Sequence, residues 1–126
     1  MTIWILWGIV LAMAAWMGYN YLRIRRAAKI VDNAEFEALI RKGQLIDVRD
    51  AAEFHRKHIL GARNIPSSQL KSSLAALRKD KPVLLYENQR GQRVTNAALY
   101  LKKQGFSEIY ILSYGLDSWI GKVKTS

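Results

Sequence analysis

The stretch of this sequence best suited to hold a small charged group is Glu87-Asn88-Gln89-Arg90-Gly91-Gln92-Arg93. It follows the apolar run Val83-Leu84-Leu85-Tyr86 and precedes a helical pattern with Ala97, Ala98 and Leu101 on one face. A helix N-terminus offers unpaired backbone N–H groups and a partial positive charge, so a loop entering one is a natural anion cradle. Gly91 permits close approach or a positive φ, and Arg90 and Arg93 add fixed positive charge. By composition alone the same loop also reads as a solvated turn whose arginines face water. It is neither a Walker motif nor a dinucleotide fingerprint, since the required glycines and Lys-Ser/Thr are missing.

Covalent chemistry is harder to place. The chain contains no cysteine, so it has no disulfide, thiolate metal ligand or sulfur nucleophile. Glu87 could serve as a carboxylate nucleophile or base, but no second acid or ligand cluster lies near it in sequence. Asp47 and Arg49 are expected to form a structural ion pair rather than an acid catalyst. His55 and His58 sit in a charged stretch, where surface or helix-end roles are expected, and their spacing does not suit zinc. No metal and no cofactor are expected.

The elements that must position the loop follow from periodicity. Asp32 and Glu35 have capping-box spacing before Phe36, Leu39 and Ile40, and Gly43 closes that helix. Leu45-Ile46-Asp47-Val48 suits a buried strand, and Asp50 with Glu53 reads as a second capping box opening a short helix. Gly61 breaks the chain before an extended Ala62–Pro66. Ser67 or Ser68 is expected to cap a helix with Leu70, Leu74 and Leu77 inward, ended by Lys81-Pro82. The strand Val83–Tyr86, the loop, a helix stopped by Gly105, and the strand Ile109–Leu112 come next. A short segment carrying Trp119 and a polar tail close the chain. Strands alternating with helices predict an α/β fold with a mainly parallel sheet flanked by helices. Ligands in such folds sit beyond the carboxyl ends of strands, which again selects loop 87–93.

Residues 1–22 carry no charged side chain, and the remainder is an ordinary soluble mixture. Roughly 20 residues at 1.5 Å each span about 30 Å, the thickness of a hydrocarbon core. Trp4 and Trp7 near one end, and Trp16, Tyr19 and Tyr21 near the other, resemble interfacial aromatic belts. A buried core helix and a cleaved signal peptide are the competing readings. The latter lacks positive side chains before the apolar run and a small-residue site at its end. Of 20 Lys and Arg against 10 Asp and Glu (net +10), Arg23, Arg25, Arg26 and Lys29 follow directly, which predicts an N-terminus outside and a cytoplasmic C-terminal domain. The expected organisation is a transmembrane anchor (1–22), a basic juxtamembrane linker (23–31) and a folded domain (32–122). The expected location is the cell membrane, single-pass, with membrane lipid as a partner through residues 1–29. No nucleic acid partner is expected.

The assembled segments resemble the rhodanese domain. Leu45-Ile46-Asp47-Val48-Arg49-Asp50 with Glu53-Phe54, then His58-Ile59-Leu60-Gly61-Ala62-Arg63-Asn64-Ile65-Pro66, is similar to that family's "IDVR…EF…HIxGAxNIP" pattern. Tyr86 with Gly91, Arg93 and Gly105-Phe106 forms the second piece, and Gly115-Leu116 followed by Trp119 the third. The resemblance implies a loop that begins with a cysteine, carries a persulfide on it and cradles the sulfur anion with backbone N–H groups. Aligning on Tyr86 puts Glu87 at the cysteine's position; aligning on Gly91 and Arg93 puts Asn88 there. Neither can carry a sulfane sulfur, so sulfurtransferase activity does not carry over. The expected role is a binding or scaffolding module, with a protein partner at loop 87–93. The alternatives are an anion sensor using that loop and a residual enzyme using Glu87.

Overall fold

A computed structural model describes residues 2–89 and 91–125, with backbone alone for 23–27. The elements in chain order are α1 (Thr2–Ala27), β1 (Lys29–Val31), α2 (Asn33–Ile40), β2 (Gln44–Asp47), α3 (Ala51–Arg56), β3 (Lys57–Ile59) and β4 (Arg63–Asn64). They continue with β5 (Val83–Tyr86), α4 (Gln92–Lys103), β6 (Ile109–Leu112) and β7 (Val123–Thr125). Five strands form one parallel sheet in the order β1-β6-β5-β2-β4, so the Val83–Tyr86 run is central. A separate antiparallel pair joins β3 to β7.

Strand β5 is apolar at every position because both its faces are covered. Side chains alternate along a strand, so Val83 and Leu85 meet Val94, Ala97, Ala98 and Leu101 of α4. Leu84 and Tyr86 point the other way, into a cluster with Phe36 of α2, Ile59 and Leu116. Each such buried side chain contributes roughly 1.5–3 kcal/mol. The edge of Phe36 packs against Trp119, ring centroids 5.8 Å apart at 79°. Helix α2 starts as its sequence suggests, with the Asp32 carboxylate accepting from the Glu35 N–H at 2.9 Å.

Four local expectations are corrected. Residues 29–31, read as the end of a linker, form the edge strand β1 in register with 110–112 of β6, and helix α1 runs through Ala27 before it. The β-branched pair Ile30-Val31 suits an edge strand, and Val31 and Ala28 are both buried in the domain. The helix expected after Ser67 is instead two 3₁₀ turns, Ser67–Gln69 and Leu74–Ala76. Serines divert the backbone there: the Ser72 hydroxyl donates to the Gln69 carbonyl at 3.0 Å, while Leu70 and Leu77 still reach the core. The polar tail is the strand β7. Asp50 makes no side-chain cap on α3, and Glu53 is engaged elsewhere.

Among the described residues one segment, Thr2–Leu22, is long and apolar enough to cross a membrane, with mean hydropathy 1.6 and none of it buried against the domain. The lower part of α1 meets the first turns of α4 across a cleft lined by Trp16, Met17, Asn20 and Tyr21 on one side and Gln92, Thr95, Asn96 and Leu99 on the other.

Candidate functional site

The loop leaves the carboxyl end of β5, between the central strand and α4. Glu87 turns its side chain inward: its Oε2 accepts from the backbone N–H of Gly91 at 3.2 Å and of Val94 at 2.8 Å. These belong to the N–H groups that a helix start leaves unpaired. The carboxylate therefore sits on the amides that the sequence analysis reserves for an anion. Gly91 caps α4 with an extended backbone (φ −123°), not with a positive φ.

The loop's own backbone is clamped by the turn after β6. The Glu87 carbonyl accepts from the Leu116 N–H at 2.8 Å, and the Asn88 carbonyl from the Asp117 N–H at 3.0 Å. Gly115 makes this approach possible: its φ is +71°, and a Cβ there would collide with the Asn88 carbonyl group.

Beside the loop lies a polar network that draws on the end of β2, α3, β3, β4, the loop and the start of α4. The Arg49 guanidinium and the Asp47 carboxylate, side chains 4% and 0% exposed, pair at 2.8 Å. Arg49 also donates to the Lys57 carbonyl and, at 2.8 Å, to the Asn88 side-chain oxygen. The Asn88 amide donates in turn to Glu53 at 2.9 Å, and Arg93 donates to the other Glu53 oxygen at 3.0 Å. Arg93 lies 3.8 Å from Asp50 as well. Asn64 donates to the Asp47 and Arg49 carbonyls at 3.2 and 2.9 Å, fixing the end of β2 against β4. The Tyr86 hydroxyl, buried beneath, accepts from the Ile59 N–H at 3.0 Å.

The electrostatics follow these contacts. The Arg93 hydrogen bond holds the Glu53 carboxyl below its ordinary value against partial desolvation, with Asn88 assisting. Glu53 raises Arg93 in return. Burial pulls the Arg49 guanidinium down, but the bonds and charge of Asp47 outweigh it and leave the group raised. Burial, then the Asp47 charge, pushes the Tyr86 hydroxyl far above its usual range. The Glu53 carboxylate and the Arg49 and Arg93 guanidiniums are thus each favoured in their ionised form by a partner, and the Tyr86 phenol in its neutral one by burial.

The remaining residues singled out from sequence fall as follows. Gln89 is exposed and reaches Asp117 at 3.4 Å. Gln92 donates to Asn96 at 2.8 Å on the face of α4 turned toward α1. Arg90 lies outside the described residues. Asp47 and Arg49 form the expected structural pair. His58 lies in β3, with Nδ1 2.7 Å from the Phe54 carbonyl near the end of α3 and its ring stacked on Phe54 at 3.8 Å. Among the described residues no group of three His, Asp or Glu side chains could hold a metal ion. Sequence reasoning missed Glu53 as a site residue, because its spacing from Asp50 looked like a local cap. A small open depression of about 180 Å³ remains beside the network, with Arg56, Lys57 and Asp117 at its edge.

A parallel sheet with a backbone-clamped loop between its central strand and an amphipathic helix defines an α/β domain whose candidate site lies at the carboxyl end of the central strand. The chain belongs to the rhodanese-like domain family, which it matches over residues 32–122. It is 47% identical over 116 residues to the uncharacterized protein YqhL of Bacillus subtilis, covering 92% of this chain and 91% of that one. It is 37% identical over 75 residues to the thiosulfate sulfurtransferase GlpE of Stutzerimonas stutzeri, covering 60% and 68%. The crystal structure of a rhodanese-related protein from Thermoplasma volcanium matches with a TM-score of 0.70 at 26% identity, covering 78% of this chain and 99% of that one. A full-length protein from Lactobacillus plantarum matches with a TM-score of 0.71 at 25% identity, covering 91% and 98%. The chain is therefore a rhodanese-like domain without any cysteine, and a persulfide cannot form on it.

Proposed function

We propose that this protein is a membrane-anchored rhodanese-like domain that is inactive as a sulfurtransferase and acts as a binding or scaffolding module on the cytoplasmic face. The observation that carries the reading is the Glu87 carboxylate on the Gly91 and Val94 amides. A carboxylate cannot accept a sulfane sulfur, and where it sits it repels the anions that such a loop would otherwise attract. The neighbouring Asp47–Arg49–Asn88–Glu53–Arg93 network supports the same reading, because its charges are paired within the protein. What the loop retains is a defined, clamped surface of Gln89, Asn88 and Asp117 suited to contact with another protein.

Anchoring rests on the unburied apolar segment Thr2–Leu22, and its direction on the basic residues that follow. The full chain in detergent is expected to show no thiosulfate-to-cyanide sulfur transfer above background. Turnover abolished by Glu87→Gln would replace the scaffold reading with an enzymatic one. A reporter fused after Ser126 is expected to work only as a cytoplasmic fusion; activity of an extracytoplasmic reporter would reverse the orientation.

A further inference from the structure

The cleft between α1 and α4 has a volume of about 530 Å³, within the range of small-molecule sites. Its α1 wall consists of Trp16, Met17, Asn20 and Tyr21, of which Trp16, Met17 and Tyr21 are 68%, 62% and 57% exposed. Its α4 wall offers the uncharged hydrogen-bonding side chains of Gln92, Thr95 and Asn96. One wall is continuous with the membrane-crossing segment; the other is part of the folded domain.

We infer that this cleft is an interfacial site for one bilayer phospholipid, which seats the first turns of α4, and with them the loop at 87–93, against the membrane surface. The inference rests on the membrane-anchored reading above. Polarity along the helix axis argues for a phospholipid as the occupant. Apolar residues line α1 up to Met17, where an acyl chain lies. Asn20, facing Gln92 and Asn96, comes next, at the level of ester carbonyls. Arg23, Arg25 and Arg26 follow in sequence three to six residues beyond Asn20, about 5–9 Å further along the axis, which is the level of the phosphate. The order apolar, uncharged hydrogen-bonding, cationic reproduces the order of chain, ester and phosphate in a lipid. Trp16 and Tyr21 are residue types that favour that interface.

The test uses the full chain in lipid nanodiscs. Because the protein has no cysteine, a fluorophore attached to a single introduced thiol reports on one position. Three variants are labelled: Gln89→Cys in the loop, Glu37→Cys on α2 across the sheet, and Val10→Cys within the span. Phospholipid carrying a nitroxide near its ester groups is expected to quench position 89 several-fold more than position 37, with position 89 also shielded from aqueous iodide. Equal quenching at 89 and 37, with strong quenching at 10 by phospholipid carrying its nitroxide near the acyl-chain end, would overturn the cleft site and leave the anchor standing. Weak quenching at 10 by that chain-end probe would instead remove the anchor reading, and this inference with it. Occupancy is read by native mass spectrometry of the chain released from nanodiscs. One retained phospholipid is expected in the unmodified protein and its loss in the cleft-filling Asn96→Trp. Identical retention in both would place the lipid elsewhere and overturn the inference.

Discussion

Glu87 accepts two amide hydrogens at the start of α4 with a carboxylate tethered by its own backbone, and a free anion competing for them must displace it. Such a tethered group has a large effective-concentration advantage over a solute. Sulfate titration followed by NMR at the Gly91 and Val94 amides is therefore expected to leave the unmodified protein unshifted and to shift both resonances in Glu87→Ala. The same variant gives up a helix cap, at a cost of about 0.5–2 kcal/mol in a denaturant melt. Saturable shifts of equal size in both proteins would show that the carboxylate does not guard the amides. Arg49 behaves differently, because its partner is fully buried. Arg49→Met strands the Asp47 carboxylate without its cation, and the loss in unfolding free energy is expected to be about 3–5 kcal/mol.

Between elements, Glu53 ties α3 to α4 through Arg93 and to the loop through Asn88. Its carboxyl is depressed in the folded protein, chiefly by the Arg93 hydrogen bond, so the unfolded chain takes up this proton first as pH falls. Its stabilisation is complete above the unfolded carboxyl's range and is lost as pH drops through the folded value. The stability advantage of the unmodified protein over Glu53→Gln should shrink across that acidic window and be flat at neutral pH. A difference independent of pH would mean that shape, not charge, makes the link. This connection was not legible in sequence, since Glu53 and Arg93 are forty positions apart and Asp50 offered Glu53 a plausible local role. The missing helix after Ser67 has a similar origin. Leu70, Leu74 and Leu77 keep helical spacing, but burial of Leu70 and Leu77 is achieved equally well by successive tight turns.

For the whole molecule, the decisive feature is that the apolar helix joins the domain without slack. Helix α1 ends at Ala27 and β1 begins at Lys29, so the apolar helix feeds directly into the edge of the central sheet. Truncation should reveal this. A fragment starting at residue 27 keeps β1 and is expected to stay folded, whereas one starting at residue 32 loses the β1–β6 pairing and the buried Val31. The Val31 side chain alone is worth roughly 1.5–3 kcal/mol. Equal urea midpoints for the two fragments would show that β1 is dispensable and that the apolar helix is only loosely attached.

Several features of this protein were set by residue type alone. The lack of cysteine excludes persulfide chemistry, the charge-free first 22 residues define the candidate span, and the apolar Val83–Tyr86 run names the central strand. Each depends on composition or on a short periodic pattern, which the chain carries wherever it folds. The tertiary structure decided which of Glu87 and Asn88 enters the loop's amide ring, what Glu53 binds, and that residues 29–31 and 123–125 are strands. Those outcomes depend on groups brought together from distant positions, where several local arrangements have similar energies and packing selects one.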